Sequence, residues 1–136
     1  MTLEPLTVLH ADESFPHWQD NALYRFVPAD PPESADALRA RYSVLSRGGS
    51  SDESEQWLNW FMREPASGEL IGMIECTLFA DKTAQLAYFV FAKHQRSGFA
   101  FEGCAAVLGE LKTHWGATLA QAYIDTRNAA SIATPL

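Results

Sequence analysis

The chain is poor in cysteine, in basic residues and in long apolar runs, and each shortage excludes something. Cys76 and Cys104 are its only cysteines. They form no C-x-x-C pair and both sit in apolar runs, so the expectation is two buried free thiols in a reducing compartment, the cytoplasm. Ten lysines and arginines face seventeen aspartates and glutamates, for a formal net charge of −7. Such a surface repels a phosphate backbone, which argues against nucleic acid as a partner, and weakly attracts a cationic substrate such as an amine. The four histidines, His10, His17, His94 and His114, show no ligand spacing, so no metal is expected. No apolar run reaches membrane-spanning length. Residues 1–10 lack the basic start of a signal peptide, so no membrane association is expected either. There is no internal repeat, no phosphate loop ending in Gly-Lys-Ser/Thr, and no G-x-G-x-x-G fingerprint.

What is present is enough for one domain with a real core: 136 residues, 47% of them hydrophobic. The first thirty residues read as irregular, punctuated by Pro5, Pro16 and Pro28, with a short helix over 12–21. Glu33-Ser34 opens a clearer helix over 35–45, in which Leu38, Tyr42 and Leu45 share a face while Arg39 and Arg41 point elsewhere. Residues 47–54 form a Gly/Ser-rich loop, read as a surface connection rather than a lid. Aromatic and β-branched runs predict strands over 57–63, 69–78 and 85–91, the first two joined as a hairpin through Pro65-Ala66-Ser67-Gly68. A helix over 98–115 follows, with Ala100, Cys104, Leu108, Leu111 and Trp115 on one face and Gly116 at its end. The run 119–125 reads as another strand. Strand, helix, strand in this spacing is a parallel β-α-β unit, so the fold class is α/β or α+β with a mixed sheet.

At the junction of the third strand and the long helix stands Gln95-Arg96-Ser97-Gly98-Phe99-Ala100. A Gly-containing turn there exposes backbone N–H groups at a helix N-terminus, where the helix dipole favours phosphate. Taken alone, the pattern is as well explained by a plain strand–helix turn. Lys93, Arg96 and Arg127 read equally as surface charges or phosphate contacts, His94 as an exposed loop residue, and Tyr88 as packing.

The order of the surrounding residues is more specific. Tyr88-Phe89-Val90-Phe91, then Gln95, Gly98 and Ala100, resembles motif A (Q/R-x-x-G-x-G/A) of the GNAT acetyltransferase superfamily. Ile124-Asp125-Thr126-Arg127-Asn128-Ala129-Ala130-Ser131 resembles the strand end and N-x-x-S element of the same superfamily. That version, with Tyr24-Arg25-Phe26 and the hairpin carrying Trp57 and Gly72, is similar to the branch of ribosomal-protein N-terminal acetyltransferases. The resemblance implies a single GNAT-like domain and acetyl-coenzyme A as co-substrate. It implies that the amides of Arg96, Ser97, Gly98, Phe99 and Ala100 hold the pyrophosphate. It further implies that Phe89, Val90 and Phe91 pair with the pantetheine arm, that Asn128 bonds the arm, and that Ser131 stands near the thioester sulfur. The implied chemistry is direct attack of a neutral primary amine, of a small molecule or a protein N-terminus, on the thioester. A backbone N–H near Val90 would polarise the carbonyl. Glu75, on a central strand beside the cleft, is the candidate base; its plainer reading is a solvent-facing strand residue.

One departure sets further expectations. In the superfamily a helix follows the N-x-x-S element and further strands complete the sheet. Here the C-terminal strands are expected to be missing, the domain to be truncated, and Pro135 to break a helix begun near Asn128. The strand over 119–125 would then be an edge covered by a second copy in a homodimer, by the N-terminal segment, or not at all. A noncatalytic acyl-coenzyme A-binding or interaction protein is the alternative function, and a nucleotide-binding regulator a more remote one.

Overall fold

Two apolar stripes on one strand set the architecture. In β3 (Leu70–Phe79), Ile74, Cys76 and Leu78 belong to one buried cluster, and Leu70 and Met73 to another on the opposite face. Alternation of this kind requires a covering layer on each side of the sheet. The computed structural model describes residues 1–24, 30–95, 97–124 and 130–136; for residues 22, 92, 122–124 and 130–135 it describes the backbone alone.

The strands β1 (Thr2–Pro5), β2 (Glu55–Arg63), β3, β4 (Thr83–Val90), β5 (Leu119–Ile124) and β6 (Ala130–Pro135) form one six-stranded sheet in chain order. All neighbours are antiparallel except β4 and β5, which are parallel. The connection between those two is α3 (Phe99–His114), which gives the expected β-α-β unit. On one face α3 packs Val107 and Leu111 against Trp60, Met62, Ile74 and Leu86. On the other, α1 (His10–Trp18) and α2 (Ala35–Leu45) pack Ala11, Trp18, Leu38 and Tyr42 against Phe61, Met73 and Phe91. The mixed, mostly antiparallel sheet with flanking helices is the expected fold class.

Local chemistry explains the bounds. Ser34 starts α2 by accepting the Ala37 N–H on its hydroxyl at 3.0 Å. On α3 the buried stripe is Gly103, Val107 and Leu111, with Cys104, Leu108 and Trp115 at its margin. It is rotated from the expected stripe because Gly103 lets the helix close on the sheet; a Cβ there would stand 2.5 Å from Met62 Sδ. The N-terminus is more ordered in type than its prolines suggest. β1 pairs with β2, and Arg63 binds Glu4 (Nε to Oε2, 2.7 Å) and Glu13 (Nη1 to Oε2, 2.7 Å), tying β1 and α1 to the sheet.

Two expectations are corrected. No helix starts the C-terminal segment among the described residues: residues 130–135 are β6, paired antiparallel with β5 from Ile124↔Ala130 to Leu119↔Pro135. The edge of β5 is therefore covered by the chain itself rather than by a second copy or the N-terminal segment. Pro135 is tolerated because the Leu136 N–H bonds Thr118 O at 3.0 Å. That bond makes Leu119/Pro135 a non-hydrogen-bonded pair, so no donor is needed from residue 135. The second correction is His94, expected to be exposed: it is 7% exposed, its ring edge-on to Phe99. Among the described residues no helix is long and apolar enough to cross a membrane, and no group of His, Cys, Asp and Glu is arranged to hold a metal.

Candidate active site

The parallel pair β4/β5 does not run the length of its strands. Among the described residues its register goes from Thr83↔Leu119 to Leu86↔Ala122 and stops, while β4 continues to Val90. Beyond Ala122, the described residues of β5, Tyr123 and Ile124, pair with β6. On its other side β4 stays paired with β3 as far as Gly72↔Val90, and the next amide, Phe91 N–H, donates to Ile71 O at 2.8 Å. That bond identifies Gly72/Val90 as a non-hydrogen-bonded pair, so the amide and carbonyl of Val90 turn away from β3 toward the side that β5 has left. The Gln95 side-chain amide donates to Val90 O at 3.0 Å. Val90 N–H is thus the strand group aimed into the gap.

The three strand-end residues have different tasks. Phe91 spends its amide on β3, and its ring is buried between His17 (centroids 4.6 Å apart, stacked) and Trp18 (5.0 Å, edge-on). Phe89 packs edge-on to Trp18 at 5.2 Å and forms a cleft wall. Of these three, Val90 alone presents backbone to the gap.

The turn follows directly. Gly98 caps α3 in the left-handed region, φ +79°, and no side chain caps the helix. Glu102 N–H bonds Gly98 O at 3.1 Å, the first bond of the helix, so the amides of Phe99, Ala100 and Phe101 precede the intrahelical ladder. Ser97 and Gly98 are exposed. These amides suit an anion, and the glycine is required by its φ rather than by space, since a Cβ there would meet nothing within 4 Å. Behind the turn, Lys93 is held by Glu69 at 2.7 Å. Arg96 and Asn128 lie outside the described residues. Ser131 falls in β6, opposite Tyr123.

On the α1/α2 face a cleft of about 200 Å³ opens beside this strand end, lined by Trp18, Tyr24, Leu38, Tyr42, Met73 and Phe89, with Asp30, Arg41 and Glu75 as its charged groups. Glu75 sits half-buried on β3, between Asn59 of β2 and Ala87 of β4. Burial raises the Glu75 carboxyl above its ordinary pKa, and the charge of Arg41 pulls it partly back. Glu75 lies three residues along β3 from Gly72, the partner of Val90, a separation of about 10 Å. The cleft wall is fixed by Trp18: its Nε1–H donates to Tyr42 OH at 2.9 Å, and Tyr24 OH donates to Trp18 O at 2.7 Å.

Sequence reasoning named Glu75 and the turn but missed Arg41, Asp30 and the Trp18–Tyr42 pair. A larger cavity, about 480 Å³, is bounded by residues 47–50, 53–56 and 78–80 with Lys82. It lies at the opposite end of β3 from Gly72, so the loop over 47–54 is no lid over the cleft.

The sequence from 1 to 134 matches the family model described as the acetyltransferase (GNAT) domain. The chain belongs to this family. Its chemistry is acyl-coenzyme A-dependent acetyl transfer to nitrogen, as expected from motif A. Solved structures share the fold. The spermidine N-acetyltransferase of Vibrio cholerae, in complex with CoA and spermine, superposes with a TM-score of 0.74 at 19% identity, over 90% of this chain and 70% of that one. A GNAT-family acetyltransferase from Bacillus anthracis gives 0.71 at 13% identity, over 93% and 70%. No curated protein matches the chain in sequence.

Proposed function

We propose that this GNAT domain acetylates the primary amine of a small molecule, with the donor in the β4/β5 gap and the acceptor in the cleft at Glu75. The carrying observation is the parting of β4 and β5 after Leu86↔Ala122, which turns Val90 N–H into a gap beside the uncapped start of α3. Acetyl-coenzyme A supplies a thioester carbonyl open to attack. Val90 N–H donates to the oxygen on which negative charge grows. The amides of Phe99 and Ala100, with Ser97, Gly98 and Arg96, hold the pyrophosphate. Of the strand-end residues Phe89, Val90 and Phe91, Val90 offers the backbone that the pantetheine arm lies along, while the rings of the other two pack on the α1/α2 face. Asn128 bonds the arm, and Ser131 gives a hydrogen bond to the departing sulfur.

An ammonium has no lone pair, so the acceptor must lose a proton before it attacks. Glu75 is placed to take it. Its raised pKa makes it a stronger base than an exposed carboxylate. At about 10 Å along the strand from the Val90 level, Glu75 takes the proton through a short chain of waters rather than directly. A protein N-terminus is the second acceptor class, supported by Tyr24 in the cleft wall and the likeness to the ribosomal-protein branch. The small volume of the cleft favours a free small amine.

The test is calorimetric titration of acetyl-coenzyme A, then free-thiol release with a panel of amines. Saturable 1:1 binding and amine-dependent thiol release are expected. Binding without release from any amine would leave a noncatalytic acyl-coenzyme A-binding protein; no binding by folded protein would end the donor assignment.

A further inference from the structure

The cleft carries a cation that a site for polyamines would not want. Arg39 and Arg41 both lie on α2, yet differ in their surroundings. Arg39 is neutralised by Asp12 and Asp36. Arg41 pairs with no carboxylate among the described residues and lines the cleft, its charge near enough to Glu75 to act on that carboxyl. A guanidinium and a carboxylate of one cleft, each facing it and neither bonded to the other, form a slot with two poles. The rest of the wall near them, Trp18, Leu38, Met73 and Phe89, is apolar. Arg41 and Asp30 are both exposed, so the guanidinium stands at the rim while Glu75 lies deeper and half-buried.

We propose that Arg41 is a specificity-determining residue that binds an anionic group of the acceptor, so that the preferred substrates are free α-amino acids, amine toward Glu75 and carboxylate on Arg41. The inference rests on the acetyltransferase reading of this cleft. Three observations carry it. A guanidinium offers a planar fork that a carboxylate fills with two bonds, whereas an ammonium at the same position is repelled. A cleft of about 200 Å³ lies below the usual range for drug-sized ligands and suits a molecule the size of one amino acid. The apolar wall gives the side chain a place to go. The bonds balance: nitrogen–carbonyl carbon forms and carbon–sulfur breaks, and of the two protons the ammonium gives up one leaves through Glu75 to solvent and the other ends on the departing sulfur. Arg41 takes no part beyond holding the carboxylate.

The experiment uses the full chain and two matched probes, leucine and isopentylamine, which differ by the carboxylate, with spermidine as a third. Thiol release gives kcat/KM for each. Calorimetry on protein saturated with coenzyme A gives the affinity for leucine whether or not transfer occurs. Leucine is expected to exceed isopentylamine by at least about tenfold, as one charge-assisted pair allows. In Arg41→Gln that ratio should fall by about the same factor, through KM rather than kcat; Arg41→Glu should invert it toward spermidine. Preference for isopentylamine or spermidine in the native protein, equal losses for leucine and isopentylamine in Arg41→Gln, or no leucine binding to the coenzyme A complex would each overturn the assignment of Arg41. Spermidine turnover without leucine turnover would do so while leaving the transferase standing. Failure of acetyl-coenzyme A itself to bind would instead remove the reading on which the inference rests.

Discussion

Gly72 is where the fold and the site meet most closely, and replacing it by alanine tests the geometry of both. A Cβ built on Gly72 would stand 2.0 Å from Phe89 O and 3.0 Å from Val90 Cα. Real Cβ atoms do not come within 3.0 Å of such neighbours, so in Gly72→Ala the backbone of β4 must retreat by about 1 Å. Both obstructing atoms are main chain, so no rotamer change relieves the clash. Overpacking of this size costs on the order of 1–3 kcal/mol of stability. The displaced atoms flank the Val90 amide, and a shift of about 1 Å in a catalytic group costs about a hundredfold in rate. Urea unfolding and steady-state thiol release on the same preparation measure the two effects. Gly103→Ala is the control. Its Cβ would meet Met62 Sδ at 2.5 Å and Ile74 Cδ1 at 2.9 Å, side-chain ends that can yield, on the α3 face. It should lose stability and keep most of its kcat. If Gly72→Ala kept native kcat, or if the two variants lost activity in proportion to stability alone, the placement of the carbonyl-polarising amide at Val90 would be wrong.

Other outcomes follow from the same geometry. Val90→Pro removes the N–H from a residue whose amide β3 does not use, so the melting temperature should change little while kcat falls by about 10²–10³; native kcat would exclude the amide from the chemistry. Glu75→Gln removes a half-buried charge whose pKa is raised, meaning that the ionised form costs folding stability above that pKa. The variant should therefore be as stable as the native protein or more so at neutral pH, yet nearly inactive, and a variant that stays active would show another base at work. Arg63 and His10 hold the Glu4 carboxyl down at about 2 from an ordinary 4.5. Its contribution is complete above pH 4.5 and is lost as the pH falls toward 2, so acid unfolding of Glu4→Gln followed by circular dichroism should show a shallower fall in stability across that window.

The sequence carried the middle of the fold and lost its ends, for reasons that differ. The helix over 35–45 was legible to the residue because Ser34 is a strong cap and Leu38 and Tyr42 repeat at helical spacing. The strands of β2 to β4 announce themselves by aromatic and β-branched runs. β1 does not: Thr2-Leu3-Glu4-Pro5 has no alternation, and it is a strand because β2 offers an edge and Arg63 grips Glu4. β6 is hidden in small residues, and Pro135 reads as a breaker until its non-hydrogen-bonded register is known. His94 is buried by Phe99 and by the approach of Glu69, 3.3 Å from its Nε2, a contact made across the sheet. Arg41 precedes Tyr42 by one helical step, at the margin of the apolar face. Its position over the cleft depends on the register that sets Glu75 beneath α2, which no local pattern contains.

That register also explains why the parting of two strands matters more than any single side chain. The six strands make a wall. Its α3 face carries the helix whose uncapped N-terminus suits the donor's phosphates, and its α1/α2 face carries the cleft with Glu75. Along β4 the side chains alternate, Leu86 and Val90 toward α3 and Phe89 toward the cleft, while the amide of Val90 lies in the plane of the sheet. A donor anchored on one face meets an amine bound on the other only through an opening in that plane. The opening is the stretch of β4 beyond Leu86, with which no described residue of β5 pairs.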